Sequence, residues 1–460
     1  MAPLVTHEDQ HESGTTRGRD RHHRSRLRAA ALAGTAATVL VAGAAWATTA
    51  GPADGSGSGS GGTTTAEALR SDQEARAGGQ QVLGGERDPG VPSVQRLRHD
   101  DVDFTVTVAP ARPGPNLVRI DVSAVGDAHG EHGEHSEHST ESFQVGTPGS
   151  AALTTATPRP GADGVWAVVD LPEGSGTVLV SHGPDHRVPF AVETGFADDA
   201  RAAGGPAPQD WQGPDGPECL TAATTAVLAG GEVPTACPSA RLADHDADAL
   251  RETVAWLAGR GVEELTLQGD GSPRSRAATD LVRGEADRLG VRLAPADAPA
   301  SSTQGVRNAL LVVGGWSEAA DDLAAVSRLP LRQQPIRSDG TWLAPWLLTP
   351  GVVDSTSGAV LPLDFDIRDG AAQEYSQTLA TFFPGQAPTA SGYQAWRTAR
   401  GGEPSPHTLY AASRAAYMPD TPGHAAHSTQ VSWFPGGTVT PVGPLGTDST
   451  RSLPQRTPAQ

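Results

Sequence analysis

The spacing of apolar residues changes once along the chain, and this change limits the possible architectures more than any other feature. Between residues 97 and 195, apolar and polar residues alternate in short runs such as DFTVTV, and turn residues separate the runs. A period of two residues is typical of half-buried strands. From residue 211 onward, amphipathic helical segments alternate with short apolar strands. The sequence therefore predicts a multi-domain chain, with an all-β sandwich of about seven strands followed by a Rossmann-like α/β domain.

The α/β domain, residues 211–445, should hold a mainly parallel sheet covered on both faces. The clearest helix, SPRSRAATDLVRGEADRLGV, has Ser272 at its N-cap and Pro273 at its first helical position. The other predicted helices are DADALRETVAWLAGRGV, SEAADDLAAVSRL, AAQEYSQTLATFF, SGYQAWRTA and HTLYAASRAAYM. The predicted strands are ELTLQ, VRLAP, NALLVV and AVLPLDF.

The charge balance excludes one function class. The 460 residues include 34 basic and 53 acidic side chains, a formal net charge of −19. Proteins that bind nucleic acid need a basic surface to neutralise phosphates, so we exclude that class. The many Gly and Pro residues (55 and 38) indicate that parts of the chain do not fold. We assign residues 51–96 as a disordered Gly/Ser/Thr-rich tether, 196–210 as a linker and 446–460 as a disordered tail.

The N-terminal segment carries a membrane-targeting pattern. Residues 29–50 contain no charged side chain and follow a basic segment, residues 1–28, that includes Arg17, Arg19, Arg21, Arg24, Arg26 and Arg28. A run of this length can span a bilayer, and the basic flank should stay in the cytoplasm. We therefore expect a single-pass anchor in the cell membrane, with the bulk of the chain extracytoplasmic. A secretory signal cleaved near Ala47 is the alternative, and a buried helix is a third reading.

The chain has two cysteines, Cys219 and Cys237, which lie in turn-like settings. In an extracytoplasmic protein an isolated pair predicts a disulfide. A redox or metal-binding thiol pair is the alternative, although the C-x-x-C spacing is missing.

A histidine-rich segment, residues 128–138 (AHGEHGEHSEH), interrupts the sandwich. It places a histidine at every third position, with glutamates between them: His129, His132, His135 and His138. Imidazole and carboxylate ligands on a flexible loop favour copper or zinc. The alternative is a solvated loop that binds metal only adventitiously.

Two segments resemble known families. TVTVAPARPGPNLVRIDV, with Pro110, Pro113, Gly114, Pro115 and Asn116, and the later VWAVVDLPEGSGTVLV resemble the immunoglobulin-like domain of bacterial copper-resistance membrane proteins of the CopD and YtkA-like type. LTLQGDGSPRSRAATDLVRGEADRLGVRL, ALLVVGGWSEAADDLAAV and LPLDFDIRDGAAQEYSQTLATFFPGQAPTASGYQAWRTA resemble type I periplasmic binding proteins of the leucine/isoleucine/valine type. The second resemblance implies a solute receptor, although the domain is shorter than two full lobes.

Ligands of open α/β sheets bind at the carboxyl ends of the strands. The residues expected there are Asp270, Ser272, Arg274, Trp316, Ser317, Asp364 and Asp366. Asp364 and Asp366 are also considered as paired carboxylates. The motif around Ser317 departs from the G-x-S-x-G nucleophile elbow, and we expect Ser317 to cap a helix instead. Trp342, Trp346, Tyr393 and Trp396 are expected in the core, with a cleft lining as the alternative for Trp342 and Trp346.

These observations predict an extracytoplasmic, membrane-tethered, copper-associated binding protein with a solute-receptor-like module for a small ligand. No nucleophile and base pair is recognisable, so an enzyme is not expected. Two alternatives stay open: a secreted hydrolase with an unrecognised active site, and a non-catalytic partner of a membrane copper transporter.

Overall fold

The protein is described by a computed structural model. It describes residues 81–83, 88–99, 102–124, 142–150, 152–182, 186–196, 205–294, 305–383, 386–414, 433–434 and 437–446. All of these belong to one compact unit, Glu67–Gln460.

Among the described residues, ten strands form two antiparallel sheets in the first part of this unit. The larger sheet has the order β1-β2-β3-β4-β8-β7, and the smaller has the order β10-β9-β5-β6. The strands are β1 (Gln81–Leu83), β2 (Ser93–His99), β3 (Val102–Ala109), β4 (Gly114–Ala124), β5 (Phe143–Gly146), β6 (Thr154–Thr155), β7 (Thr157–Pro158), β8 (Val165–Leu171), β9 (Ser175–His182) and β10 (His186–Glu193).

The two antiparallel sheets share one apolar core. Alternate side chains of β3 and β4, such as Val106, Val108 and Ile120, pack with Val180 and Phe190 from the smaller sheet. This follows from the period of two, because successive side chains of a strand point to opposite faces. Strands β1 and β2 begin before residue 97, so the tether predicted for residues 51–96 is wrong at its C-terminal end.

The second part is an α/β layer around a seven-stranded sheet of order β12-β11-β13-β14-β15-β16-β17. Strands β11 to β15 pair in parallel, whereas β16 and β17 are antiparallel. The strands are β11 (Glu264–Gln268), β12 (Arg292–Ala294), β13 (Asn308–Val312), β14 (Thr341–Leu343), β15 (Ala359–Leu363), β16 (Thr408–Arg414) and β17 (Gly437–Pro444). The helices are α1 (Pro208–Gln212), α2 (Gly216–Leu228), α3 (Asp244–Gly259), α4 (Pro273–Leu289), α5 (Trp316–Ser327), α6 (Pro350–Val353), α7 (Gly370–Phe382) and α8 (Ala390–Ala399).

Most predicted elements of this layer are confirmed, and one is wrong. HTLYAASRAAYM was predicted to be a helix, but its first part forms β16 between β15 and β17. Ala, Leu and Arg favour helices locally. The backbone of β16 instead pairs with a strand on each side, and the buried Leu409 and Tyr410 join the core of the sheet. Tertiary pairing therefore overrides local propensity.

The sandwich packs directly against the α/β layer. Gly161, in the turn before β8, has a φ of +76°, and a Cβ atom there would collide with the backbone of Trp316. The Thr349 hydroxyl donates a hydrogen bond of 2.7 Å to the Gly161 carbonyl. Further along, Leu117 and Trp166 pack with Trp211 and the disulfide-bonded Cys219. Apolar side chains of the sandwich therefore pack against the α1–α2 segment.

Candidate functional site

The order of the parallel strands reverses between β11 and β13. Starting from β11, the chain first adds β12 on one side and then adds β13, β14 and β15 on the other. Helix α4, which follows β11, and helix α5, which follows β13, therefore lie on opposite faces of the sheet. Their first turns diverge at the edge of the sheet where the parallel strands have their carboxyl ends. A crevice opens at such a switch point, and this is where open α/β sheets bind ligands.

A pocket of about 470 Å³ lies at this crevice. The turn after β11 supplies Asp270 and Ser272, and the first turn of α5 supplies Glu318. Helix α1 and the turn that follows it supply Asp210 and Asp215. The remaining lining residues are Gln209, Gly213, Pro214, Ser239, Ala240, Gly271 and Pro273. The volume suits a small organic molecule.

Asp270 is held rigidly between the two strands of the switch point. Its Oδ2 atom accepts a hydrogen bond of 2.5 Å from the Gly315 N–H, and its Oδ1 atom accepts one of 2.8 Å from the Ser272 N–H. Burial opposes ionisation of this carboxyl, but hydrogen bonds from Ser272 and Gly315 outweigh it and lower the pKa. Asp270 is therefore a fixed negative charge in the pocket wall.

Asp215 is the most strongly perturbed carboxyl of the pocket. Burial, assisted by the nearby charge of Glu218, raises its pKa to about 6, while Arg274 and a hydrogen bond with Ser239 act in the opposite direction. A Cβ atom at Gly315 would collide with its Oδ1 atom, so only glycine lets this carboxylate approach the β13–α5 turn. Asp215 therefore changes its charge near neutral pH.

The disulfide and the sandwich hold the pocket wall in place. Cys219, in α2, and Cys237 form the predicted disulfide, and this bond ties Ser239 to the wall. From the sandwich side, the Arg159 guanidinium donates a hydrogen bond of 2.8 Å to the Gly213 carbonyl. The wall formed by Gln209–Asp215 is thus held by the sandwich at Gly213 and continues into α2, which carries the disulfide.

Two of the expected ligand-binding residues lie beneath the pocket rather than in its lining. Arg274 is buried and forms a bidentate ion pair with Glu218, with distances of 2.8 and 2.6 Å. Its guanidinium also lies over the Trp346 ring, 4.4 Å from the centroid. Trp316 is buried and donates a hydrogen bond of 2.9 Å from Nε1 to the Trp346 carbonyl. Both residues build the floor that supports the first turns of α4 and α5.

The remaining expected residues lie apart from this pocket. Helix α5 has Gly315 at its N-cap, so the prediction that Ser317 caps it is wrong. Asp364 is buried in a 2.5 Å ion pair with Arg397. Asp366 binds Arg368, whose hydrogen bonds lower the pKa of the Asp366 carboxyl to about 2. The two carboxylates have separate partners and do not form a pair.

Ser272, which lines the pocket, caps α4 as predicted, accepting a hydrogen bond from the Ser275 N–H.

The predicted metal ligands His129, His132, His135 and His138 lie outside the described residues, as does the apolar run 29–50. Within the described part of the chain, no three His, Cys, Asp or Glu side chains are placed to hold a metal ion. No helix in that part is long and apolar enough to cross a membrane.

Sequence reasoning missed Asp210, Asp215, Ser239 and Glu318. Asp210 and Asp215 precede β11 by about 50 residues, and nothing in their local sequence indicates that they fold back over the carboxyl edge. The available signal was the Gly314-Gly315 pair after a buried strand. Such a pair marks a place where another group approaches the backbone closely.

Comparisons with known proteins give structural likenesses only. No protein-family model matches the chain, and no curated protein matches it. A solute-binding protein of an ABC transporter from Rhodopseudomonas palustris, solved with 3,4-dihydroxybenzoic acid, is 12% identical with a TM-score of 0.31; the match covers 53% of this chain and 81% of that one. A branched-chain amino acid ABC transporter periplasmic ligand-binding protein from Burkholderia xenovorans is 12% identical with a TM-score of 0.29, covering 51% and 80%. An extracellular ligand-binding receptor from Verminephrobacter eiseniae is 18% identical with a TM-score of 0.27, covering 35% of this chain and half (50%) of that one. Overlap at this level transfers no ligand, so the site has to be interpreted from its own residues.

Proposed function

We propose that the α/β layer is a binding module for a small organic cation, held in the pocket at the β11/β13 switch point. The observation that carries this proposal is the pocket itself, about 470 Å³ in volume, at the place where the strand order reverses. The proposal concerns binding and not catalysis.

The charge of the pocket wall supports a cation. Among the described lining residues, Asp210, Asp215, Asp270 and Glu318 are acidic and none is basic. The buried guanidinium of Arg274 is already neutralised by Glu218, and those of Arg159 and Arg276 donate to the Gly213 and Gly271 carbonyls outside the lining side chains. An anion would therefore meet unbalanced negative charge, whereas an ammonium or guanidinium group would find acceptors on several sides.

The spread of the carboxylates supports an organic cation rather than a metal ion. No three of them in the described residues are close enough to share one ion, so a ligand has to extend across the pocket to reach them. The Ser239 and Ser272 hydroxyls add polar contacts, but neither has a histidine or lysine in the lining to act as its base. This favours binding over a hydrolase mechanism.

The proposal is tested with three small molecules of equal chain length and different charge. Putrescine is a dication, 1,4-butanediol is neutral and succinate is a dianion. On the full-length protein, putrescine should raise the melting temperature and give a calorimetric binding signal at pH 7.5, and the other two should give neither. Equal responses to putrescine and butanediol would refute the cation assignment.

A matched pair of variants places the binding in the pocket. Glu318→Gln removes one wall charge from an exposed position in the first turn of α5, so the fold should not change. It should weaken putrescine binding by about fivefold or more, because one charge-assisted hydrogen bond is lost. Glu403→Gln removes the same charge at an exposed position outside the lining and should leave the affinity unchanged.

We also propose that the chain is extracytoplasmic and membrane-tethered, with a copper-associated, immunoglobulin-like sandwich. The disulfide between Cys219 and Cys237 supports an oxidising compartment. The histidine-rich segment 128–138 falls in the sequence between β4 and β5, two strands of the sandwich. The full chain should bind Cu(II) or Zn(II) in a titration, and this binding should be lost when the four histidines are replaced by Ala. An unchanged stoichiometry would place the metal elsewhere.

Fractionation should leave the full-length protein with membranes, and a soluble form beginning near Thr48 would contradict the anchor.

A further inference from the structure

Apolar side chains are exposed in one loop of the α/β layer. Seven large apolar side chains of the described residues are exposed, and four of them lie between residues 326 and 336: Val326, Leu329, Leu331 and Ile336. Leu331 is 85% exposed and Ile336 is 80% exposed. We call residues 326–336 the apolar loop. It connects the end of α5 to β14, which places it at the amino edge of the sheet, opposite the pocket.

The apolar loop is ordered by its own hydrogen bonds. The Gln334 side chain donates to the carbonyls of Ser327 and Leu329 at 3.3 and 2.9 Å, and the Gln333 N–H donates to the Pro330 carbonyl at 2.7 Å. Just beyond the loop, the Arg337 guanidinium donates to the Thr266 hydroxyl of β11 at 2.8 Å. The backbone is therefore held in a conformation that leaves Leu331 and Ile336 in water.

The charge of the segment that contains this loop, between Asp322 and Asp339, is opposite to that of the whole chain. Residues 323–338 contain three arginines and no acidic residue, in a chain of formal net charge −19. Arg328 and Arg332 are exposed, and no described carboxylate pairs with either of them. Exposed aliphatic side chains beside free guanidinium groups are suited to bind a surface whose interior is apolar and whose outer groups are anionic.

We propose that the apolar loop docks onto an anionic lipid surface, with Leu331 and Ile336 inserted among the acyl chains and Arg328 and Arg332 on the phosphates. A protein partner of ordinary affinity needs roughly 800 Å² on each side, which is much more than one short loop offers. Lipid insertion needs only a few side chains. The remaining acidic surface is repelled by anionic lipid, so this loop sets the orientation and leaves the pocket facing away from the membrane.

The experiment places a fluorophore in the loop of the full-length protein. The two native cysteines form a disulfide, so the variant Leu331→Cys offers a single free thiol for an environment-sensitive label. With vesicles of phosphatidylcholine and phosphatidylglycerol, emission should shift to the blue and quenching by aqueous iodide should fall several-fold. Vesicles of phosphatidylcholine alone should have little effect, because the arginines then lack anionic partners.

Four further variants make the result specific. A label at Val442→Cys, an exposed apolar position of β17 that is 59% exposed, should stay accessible to iodide in both kinds of vesicle. Replacing Arg328 or Arg332 by Gln should weaken the response at position 331 by about fivefold for each arginine, and Ile336→Ser should weaken it further. Circular dichroism checks that each variant is folded.

Several outcomes would overturn the proposal: no shift at position 331, an equal shift in neutral vesicles, an equal shift at position 442, or a response that the arginine variants leave unchanged. The loop and the pocket lie at opposite edges of the sheet, so the two experiments are independent. A negative vesicle result would leave the putrescine test unaffected, and a negative putrescine result would leave the vesicle test unaffected.

Discussion

Asp215→Asn should make the protein more stable at neutral pH while weakening cation binding. Burial and the charge of Glu218 raise the pKa of Asp215 from 3.8 to about 6, so the folded state holds the proton more tightly than the unfolded state does. Each tenfold difference in proton affinity is worth about 1.4 kcal/mol. Keeping this carboxyl ionised therefore costs about 3 kcal/mol above pH 7.

The pH dependence follows from the same difference. Below about pH 3.8 both states hold the proton and the carboxyl has no effect on stability; the cost grows between pH 3.8 and 6 and is complete above it. The asparagine variant lacks this dependence, and its amide oxygen can still accept the hydrogen bond from Ser239.

Urea denaturation at pH 7.5 and at pH 4 measures the effect. The gain in unfolding free energy of Asp215→Asn over the native chain should approach 3 kcal/mol at pH 7.5 and fall close to zero at pH 4. Putrescine affinity at pH 7.5 should fall in the same variant. A variant that is less stable at pH 7.5 would refute the reasoning, because it would mean that the ionised carboxylate stabilises the fold.

Three other substitutions test the supports of the pocket. Glu218→Gln leaves the Arg274 guanidinium buried without its ion-pair partner and should cost roughly 3–5 kcal/mol of unfolding free energy in the same assay. Gly161→Ala should cost at least about 2 kcal/mol more unfolding free energy than Gly174→Ala. Both glycines have similar positive φ values (+76° and +79°), but only at Gly161 would a Cβ atom collide with backbone atoms. Equal losses of unfolding free energy would mean that the sandwich does not press on α5. Cys237→Ser should cost about 3 kcal/mol by opening the disulfide loop, and an unchanged denaturation midpoint would show that the bond does not constrain the chain.

The local pattern of the sequence was sufficient for elements whose own residues carry the signal. The run ELTLQ became β11, and the Ser272-Pro273 start and the Gly290 end of the next helix agree with α4. Such signals are short-range, because caps and apolar periods depend on a few neighbouring residues. The isolated cysteine pair could also be interpreted directly, since it left one possible partner for each thiol.

The sequence by itself thus determined most of the strands and helices of the α/β layer, the disulfide, and Asp270 and Ser272 as residues at a strand end. Only the tertiary structure decided that residues 408–414 form a strand, because the ladder bonds that hold β16 come from β15 and β17. The pocket likewise depends on the α1–α2 segment folding over the switch point, where Asp215 approaches Gly315 from 100 residues away. The raised pKa of Asp215 arises from burial and from the charges of distant residues, and neither is encoded in the residues beside it.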